Sequence, residues 1–183
     1  MDTNLNLEII KLVVQGMTPA VVGYLGWKVS KRLKDIEQVQ WGNRKISEKR
    51  IQIYDEVSPL LNRIYCYFMC VGDWQHHTPK QIIQNKRELD QKIHINKYLL
   101  EEDFFLAYQK FIDTVFEHYT GAGQEAKLKT RIISSNGDRR KSPFFEWNME
   151  FTAYFSNNNF ATKDDVAKAY DTVMLAQRQG INA

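Results

Sequence analysis

The chain opens with a run of mostly apolar residues that turns abruptly basic. Residues 7–27 read LEIIKLVVQGMTPAVVGYLGW, and the basic string KVSKRLK follows directly. About twenty apolar residues are enough for a helix to cross the hydrocarbon core of a bilayer. The pattern therefore predicts a transmembrane segment within residues 1–27, and the positive-inside rule places the N-terminus outside and the rest of the chain in the cytoplasm.

Several residues in this run fit a bilayer poorly, among them Glu8, Lys11, Gln15 and Pro19. Lys11 lies near the start, where its ammonium group can snorkel to the interface. The amide of Gln15 would lose its water partners in lipid, so we expect it to face other copies of the helix or a wet lumen. The alternative is an amphipathic helix that caps a soluble core or rests on the membrane surface.

Apolar residues continue at three- and four-residue steps over residues 29–64, which predicts one long helix after the apolar run. Its early part carries three polar residues on the same seam: Gln40, Asn43 and Arg50. These groups suit a water-containing oligomeric stalk over residues 28–50, and an equal alternative is a seam that packs on its own domain with the polar groups at the edge. Residues 51–71 are more apolar and begin the predicted cytoplasmic helical domain, residues 51–183.

Two helices are predicted in the middle of the chain. Thr78 followed by Pro79 indicates a helix start, because threonine caps helices and proline tolerates the first helical position. Apolar residues at i, i+3, i+4 and i+7 spacing predict a second helix over residues 100–119, ended by Gly121.

The C-terminal part is predicted to contain a connector and two more helices. Residues 121–143 form the hydrophilic connector, expected to be the least packed stretch, with KLKTRII as a short helix or strand and SSNGDRRKSP as a loop. Pro143 then begins a short aromatic helix, and Thr162 caps a last helix that Gly180 ends. The predicted fold class is all-α: a transmembrane helix that continues into a stalk helix and a cytoplasmic helical bundle.

The formal net charge is only +3, so any affinity for polyanions depends on where the charges cluster. The connector holds such a cluster, opposed only by Asp138. Its basic residues are Lys127, Lys129, Arg131, Arg139, Arg140 and Lys141. We expect them to bind a phosphate-bearing ligand, with Phe144, Phe145 and Trp147 stacking on a base. The alternative is a solvated loop whose aromatic neighbours belong to the core of the next helix.

The sequence predicts neither a metal site nor a catalytic site. The cysteines and histidines between residues 66 and 77 match no common zinc spacing. His118 follows Asp113 on a charged helix face, a pairing that solvated helices often carry. The sequence contains no glycine-rich phosphate loop and no nucleophile elbow. We therefore expect no enzymatic activity, no cofactor and no bound metal.

The order of these parts resembles a known group of proteins. An apolar helix ending in GYLGWKVSKRLK, a polar-seamed stalk and a compact helical domain are also the layout of small single-pass membrane effectors of bacterial anti-phage defence, and the chain is similar in layout to the DNA-gated channel effector of Hailong systems. The resemblance implies a homo-oligomeric ion channel in the bacterial inner membrane that a nucleotide or oligonucleotide opens. It also implies that Lys11, Gln15 and Pro19 line the pore.

Two other functions compete with the channel. One is a membrane-tethered helical adaptor that recruits a protein partner through its aromatic-rich C-terminal half. The other is a fully soluble helical enzyme whose site has no recognisable motif.

Overall fold

The computed structural model describes residues 2–118, 125–135 and 137–182. The side chains of residues 2–14, 18, 20 and 182 fall outside that description. The chain divides into two compact units, Met1–Ile46 and Ser47–Ala183.

Four α-helices carry most of the described residues, which confirms the mainly α-helical class. They are α1 (Asp2–Met69), α2 (Pro79–Ile95), α3 (Glu102–Val115) and α4 (Lys163–Asn182). Two short 3-10 helices cover Trp74–His76 and Met149–Tyr154. Each described strand is two residues long: β1 (Phe116–Glu117), β2 (Lys127–Leu128), β3 (Ile133–Ser134) and β4 (Gly137–Asp138).

The first unit consists of the N-terminal part of α1. Every side chain from Val21 to Trp41 is exposed, apolar and polar alike. In the described part of the chain, no helix combines the length and the apolar character that crossing a membrane requires. The predicted single-pass location in the bacterial inner membrane is therefore wrong. Polar and weakly apolar residues such as Gln15, Gly16 and Pro19 lower the mean hydropathy of the run below the value that a membrane-spanning helix needs.

The second unit is built around the C-terminal part of α1. One face of this helix is fully buried at Val57, Leu61 and Ile64. Tyr54 meets Phe104 of α3 at a ring-centroid distance of 5.0 Å, and α3 packs on α4. The remaining buried apolar residues of α1 are Ile53, Leu60, Tyr67 and Phe68. Residues 51–71 therefore supply core, as their apolar pattern predicts.

The third helix is shorter than its periodicity predicts. α3 ends at Val115, and the next two residues form β1 instead of continuing the helix. Phe116 pairs with Leu128 and Glu117 with Lys127 in an antiparallel register. Leu128 also bridges Phe155, so Phe116 and Phe155 are buried by a strand pairing that no helical pattern reveals.

Two predicted helix starts are confirmed. The hydroxyl of Thr78 accepts a hydrogen bond from the Gln81 backbone, and the Gln81 side chain accepts one from the Thr78 backbone, which completes a capping box. Thr162 accepts a hydrogen bond from the Asp165 backbone at the start of α4. The predicted stop at Gly180 is wrong, because α4 continues to Asn182.

In the part of the connector that the structure describes, two residues are buried in the core, so the prediction that it is the least packed stretch is wrong there. Leu128 is fully buried, and Arg139 is only 3% exposed. Ser134 and β4, predicted as loop, form a hairpin with Ile133, which pairs with Asp138. Pro143 begins no helix; the helical turn there starts only at Met149.

Gly180 allows α4 to approach α1 closely. A Cβ atom at this position would lie 2.5 Å from the Tyr54 hydroxyl, whose side chain is 1% exposed. We expect Gly180→Ala to lower the free energy of unfolding by about 1–2 kcal/mol, since overpacking outweighs the gain in helix propensity. Denaturant unfolding followed by tryptophan fluorescence measures the change.

Gly42→Ala is the matched control. A Cβ atom there would have nothing within 4 Å, so alanine should not lower stability. Equal stability of the Gly180→Ala variant and the parent would contradict the close approach.

Candidate phosphate-binding surface

Arg139 is a structural residue at the end of α1. Its Nη1 donates a hydrogen bond to the Tyr67 carbonyl at 2.7 Å, and its Nε donates to the Arg131 carbonyl at 3.2 Å. The guanidinium group also lies 4.3 Å from the centroid of the Tyr67 ring. Because the last carbonyls of a helix lack intrahelical donors, Arg139 satisfies one that would otherwise be buried without a partner. This predicted phosphate ligand therefore holds the hairpin against α1.

Arg140 and Lys141 are exposed and follow the hairpin directly after Arg139. Arg140 forms a forked ion pair with Asp138, with Nε–Oδ1 and Nη2–Oδ2 distances of 2.9 and 2.8 Å. This hydrogen bonding lowers the pKa of Asp138 to about 2. The carboxylate that opposes the basic cluster therefore neutralises its nearest arginine.

Lys129 and Arg131 are brought together next to Phe160. The backbone of Lys129 accepts a hydrogen bond from the Ala161 N–H at 2.8 Å, which fixes the loop before α4 against the segment after β2. The Arg131 guanidinium lies 5.1 Å from the centroid of the Phe160 ring. Lys127 lines a different groove, beside Glu125 and Tyr154.

A groove of about 370 Å³ lies on one side of this contact. We call it the lysine groove, because Lys110 of α3, Lys129 and Lys168 of α4 line it together with Phe160. The remaining lining residues are Thr114, Asn159, Ala161, Asp165, Ala169 and Thr172. Three amines from three separate elements therefore converge on one concave surface.

A second groove, of about 350 Å³, shares Phe160 and Ala161 with the first. We call it the arginine groove; its cationic lining residues are Arg131, Lys163 and the largely buried Arg139. Lys163 also donates a hydrogen bond to the Met69 carbonyl at 3.1 Å. Both grooves are therefore positively charged.

Asp165 is the one carboxylate that lines either groove. It accepts a hydrogen bond from the Thr162 hydroxyl at 2.6 Å, so it is engaged in the cap of α4. A capping carboxylate near a helix N-terminus is held by the helix dipole as well. The three amines of the lysine groove thus outnumber the acidic groups around them.

Sequence reasoning missed Lys110, Lys163, Lys168 and Phe160. Lys110 and Lys168 lie far apart along the chain, on the exposed sides of two amphipathic helices, where single lysines are common. Only the packing of α3 on α4 brings them to one groove. The aromatic residues predicted to stack on a base, Phe144, Phe145 and Trp147, line neither groove.

Those three aromatic residues have other neighbours. The Phe144 ring stacks on His76 with a centroid distance of 3.5 Å. Trp147 meets Phe151 at 5.5 Å, and Phe145 also packs near Phe151. Phe145 and Trp147 therefore belong to an aromatic cluster around the 3-10 turn at Met149–Tyr154, and Phe144 packs on His76 instead.

The residues predicted to line a pore lie in the first unit. Gln15 and Pro19 are exposed on α1, and the side chain of Lys11 lies outside the described residues. α1 continues through Pro19 without interruption. Their assignment to a pore stays a prediction that depended on the membrane span.

The titratable groups near residue 70 do not form a metal centre. His77 Nε2 lies 3.0 Å from Asp73 Oδ2, a contact that lowers the pKa of the aspartate. Burial raises the pKa of the Cys66 thiol, which disfavours the thiolate that binds metals. Throughout residues 2–118, 125–135 and 137–182, no three His, Cys, Asp or Glu side chains are grouped to hold a metal ion.

Arg139 can be tested through stability. Arg139→Met removes the hydrogen bond to the buried Tyr67 carbonyl and is expected to lower the free energy of unfolding by about 2–4 kcal/mol. The matched control is Arg140→Met, which loses only an exposed ion pair and should cost less than about 1 kcal/mol. Denaturant midpoints compare the two, and equal losses would contradict the structural role of Arg139.

No protein family model, curated protein or solved structure matches this chain. The geometry of the two grooves is therefore the basis for a functional inference.

Proposed function

We propose that this protein binds a phosphate-bearing ligand, a nucleotide or an oligonucleotide, in the lysine groove and its neighbour across Phe160. The observation that supports the proposal is the convergence of Lys110, Lys129 and Lys168 beside an accessible aromatic ring. Phe160 is 38% exposed, so part of this residue is accessible to a base.

The lysine amines of the lysine groove are the groups expected to bind phosphate. A lysine ammonium is a compact cation with three donors, and the donor of Lys129 that reaches the Asp113 carbonyl at 2.7 Å leaves two others. The hydroxyls of Thr114 and Thr172 line the same groove, but each donates its proton to a helix carbonyl, that of Lys110 or Lys168. The amines are therefore the donors that this groove offers to phosphate oxygens.

The base part of the proposal depends on Phe160 and Arg131. Nucleic-acid-binding proteins combine a positively charged groove with aromatic rings on which bases stack. Arg131 lies over the Phe160 ring, and its planar guanidinium group is a second surface on which a base can stack. Each groove has a volume at the lower end of the range for small-ligand sites, about 300–1,000 Å³. Two such grooves that share one ring suit a ligand with more than one phosphate.

The channel interpretation needed a membrane span and is not part of this proposal. We propose that the protein senses a ligand and catalyses no reaction. The resemblance implies that this role belongs to anti-phage defence.

A second candidate function is an adaptor that recruits a protein partner through the aromatic cluster. Phe144 is 56% exposed and Met149 is 80% exposed, on neighbouring parts of one irregular segment. Exposed aromatic and methionine side chains are enriched at protein interfaces. This candidate predicts no salt-dependent binding of oligonucleotides.

The amines are tested by a double variant, Lys129→Ala with Lys168→Ala. We expect it to bind a fluorescein-labelled single-stranded oligonucleotide at least about tenfold more weakly than the parent, with a shallower dependence on salt, because two phosphate contacts are lost. Anisotropy titrations at two salt concentrations measure both effects.

The matched control removes the same charge elsewhere. Lys80 and Lys97 are exposed and line neither groove, so their double alanine variant should bind nearly as well as the parent. If both double variants weaken oligonucleotide binding equally, the effect is due to net charge alone and the proposed site is wrong.

Phe160 is tested separately. Phe160→Ala should weaken oligonucleotide binding by about 1–3 kcal/mol, the range for loss of one stacked base, whereas Phe160→Trp should retain it. Inorganic phosphate serves as a competitor that cannot stack, and its affinity should be the same for all three proteins. If Phe160→Ala binds the oligonucleotide like the parent, base stacking on this ring is refuted.

A further inference from the structure

The exposed part of α1 carries a heptad repeat. When Val22 is taken as an a position, one heptad frame fits residues 22–46 without an insertion or a deletion. We call this set the heptad seam; its a residues are Val22, Val29, Ile36 and Asn43, and its d residues are Leu25, Arg32, Val39 and Ile46. Apolar residues at a and d over three to four heptads are the signature of a coiled coil.

The heptad seam is exposed in the single chain. Val29 is 55% exposed, Ile36 53% and Val39 65%, and Leu33 at an adjoining e position is 52% exposed. Half-exposed β-branched side chains form a row along the helix. Soluble monomers seldom leave contiguous apolar patches uncovered, so this row indicates an interaction surface.

The same heptad count continues along the sequence into the second unit, where it is covered. Val57 and Ile64 occupy a positions and Ile53 and Leu60 occupy d positions, and all four are buried in the core. Arg50, the a residue between the two stretches, forms an ion pair with Glu101 and donates to the Leu99 carbonyl at 2.7 Å. The apolar a and d residues are therefore buried within the chain after residue 50 and exposed before it.

We propose that residues 22–46 of two copies of this chain form a parallel, in-register, two-stranded coiled coil. Asn43 favours a second copy over an unrelated helix: a single asparagine at an a position is tolerated when it hydrogen-bonds to the same asparagine of the partner strand. This pairing exists only when two identical helices run in the same direction without a shift. β-Branched residues at the other a positions favour parallel dimers where leucine occupies d, as at Leu25; Val39 and Ile46 at d favour higher species, so the choice of two strands depends on Asn43.

The flanking charges permit this arrangement. Lys31 and Lys34 occupy c and f positions, away from the seam, and Asp35 at g faces Gln40 at e of the other strand, which can donate to it. Arg32 is the one charged residue at a d position, where its long side chain reaches out of the interface. The two copies of Arg32 repel each other, so this layer weakens the dimer.

The buried area suits a modest dimer. If each copy covers the exposed halves of seven apolar side chains, the two together bury roughly 1,200 Å², the lower limit for specific protein interfaces. We therefore expect an association that depends on protein concentration. This proposal is independent of ligand binding, because its residues lie in the first unit.

Sedimentation velocity of the full chain over a wide range of concentrations tests the association. The parent should shift from monomer to dimer. Ile36→Asp should raise the dimer dissociation constant at least roughly a hundredfold, since two isoleucines lose their burial, while Arg32→Leu should lower it about tenfold. Gln38→Asp at a c position is the matched control and should leave it unchanged. Ile36 is exposed in the single chain, so the Ile36→Asp variant should keep the thermal midpoint of the second unit.

Disulfide trapping tests direction and register. Val29→Cys should cross-link two copies under mild oxidation, because a residues meet across a parallel, in-register seam, whereas Ser30→Cys at the adjoining b position should not. Peptide mapping distinguishes this link from any at Cys66 or Cys70. A parent that stays monomeric, assembles into trimers or higher species, or cross-links equally at both positions would overturn the proposal.

Discussion

The C-terminal end of α1 is the constraint on which the second unit depends. Its face from Ile53 to Phe68 is buried among α3 and α4, and its last carbonyls find donors outside the helix. Arg139 caps the Tyr67 carbonyl and Lys163 the Met69 carbonyl, from two segments remote in sequence. The Tyr67 carbonyl would be costly to bury without its partner, so this requirement fixes the hairpin. The hydrogen bond from Lys163 is exposed and holds the start of α4 at the same helix end.

This arrangement also positions the grooves. Leu128 is buried between Phe116 and Phe155, which fixes the backbone from which Lys129 and Arg131 project. The Ser156 and Ala161 N–H groups then bind the carbonyls of Leu128 and Lys129, and Phe160 is carried to the surface beside them. The pairing of Leu128 in the core thus decides where the side chains of Lys129 and Arg131 lie.

The N-terminal half of α1 illustrates the limits of reading an apolar run by length. Residues 7–27 are long enough for a bilayer, yet their polar and glycine positions lower the hydropathy below that of a span. The apolar residues nevertheless recur with a heptad period after Val22, and this period describes an interface between helices better than one with lipid. Periodicity is therefore more informative here than average hydropathy.

Local patterns in the sequence determined the helical class, the caps at Thr78 and Thr162 and the apolar face of residues 51–71, because each depends on side chains within a few positions of one another. The end of α3, the hairpin and the burial of Arg139 were decided by tertiary structure, since β1 needs a strand eleven positions away and Arg139 needs the carbonyl of Tyr67. The candidate site divides in the same way. The sequence pointed to the basic segment, but the pairing of Leu128 in the core decided where Lys129 and Arg131 lie, and the packing of α3 on α4 added Lys110 and Lys168.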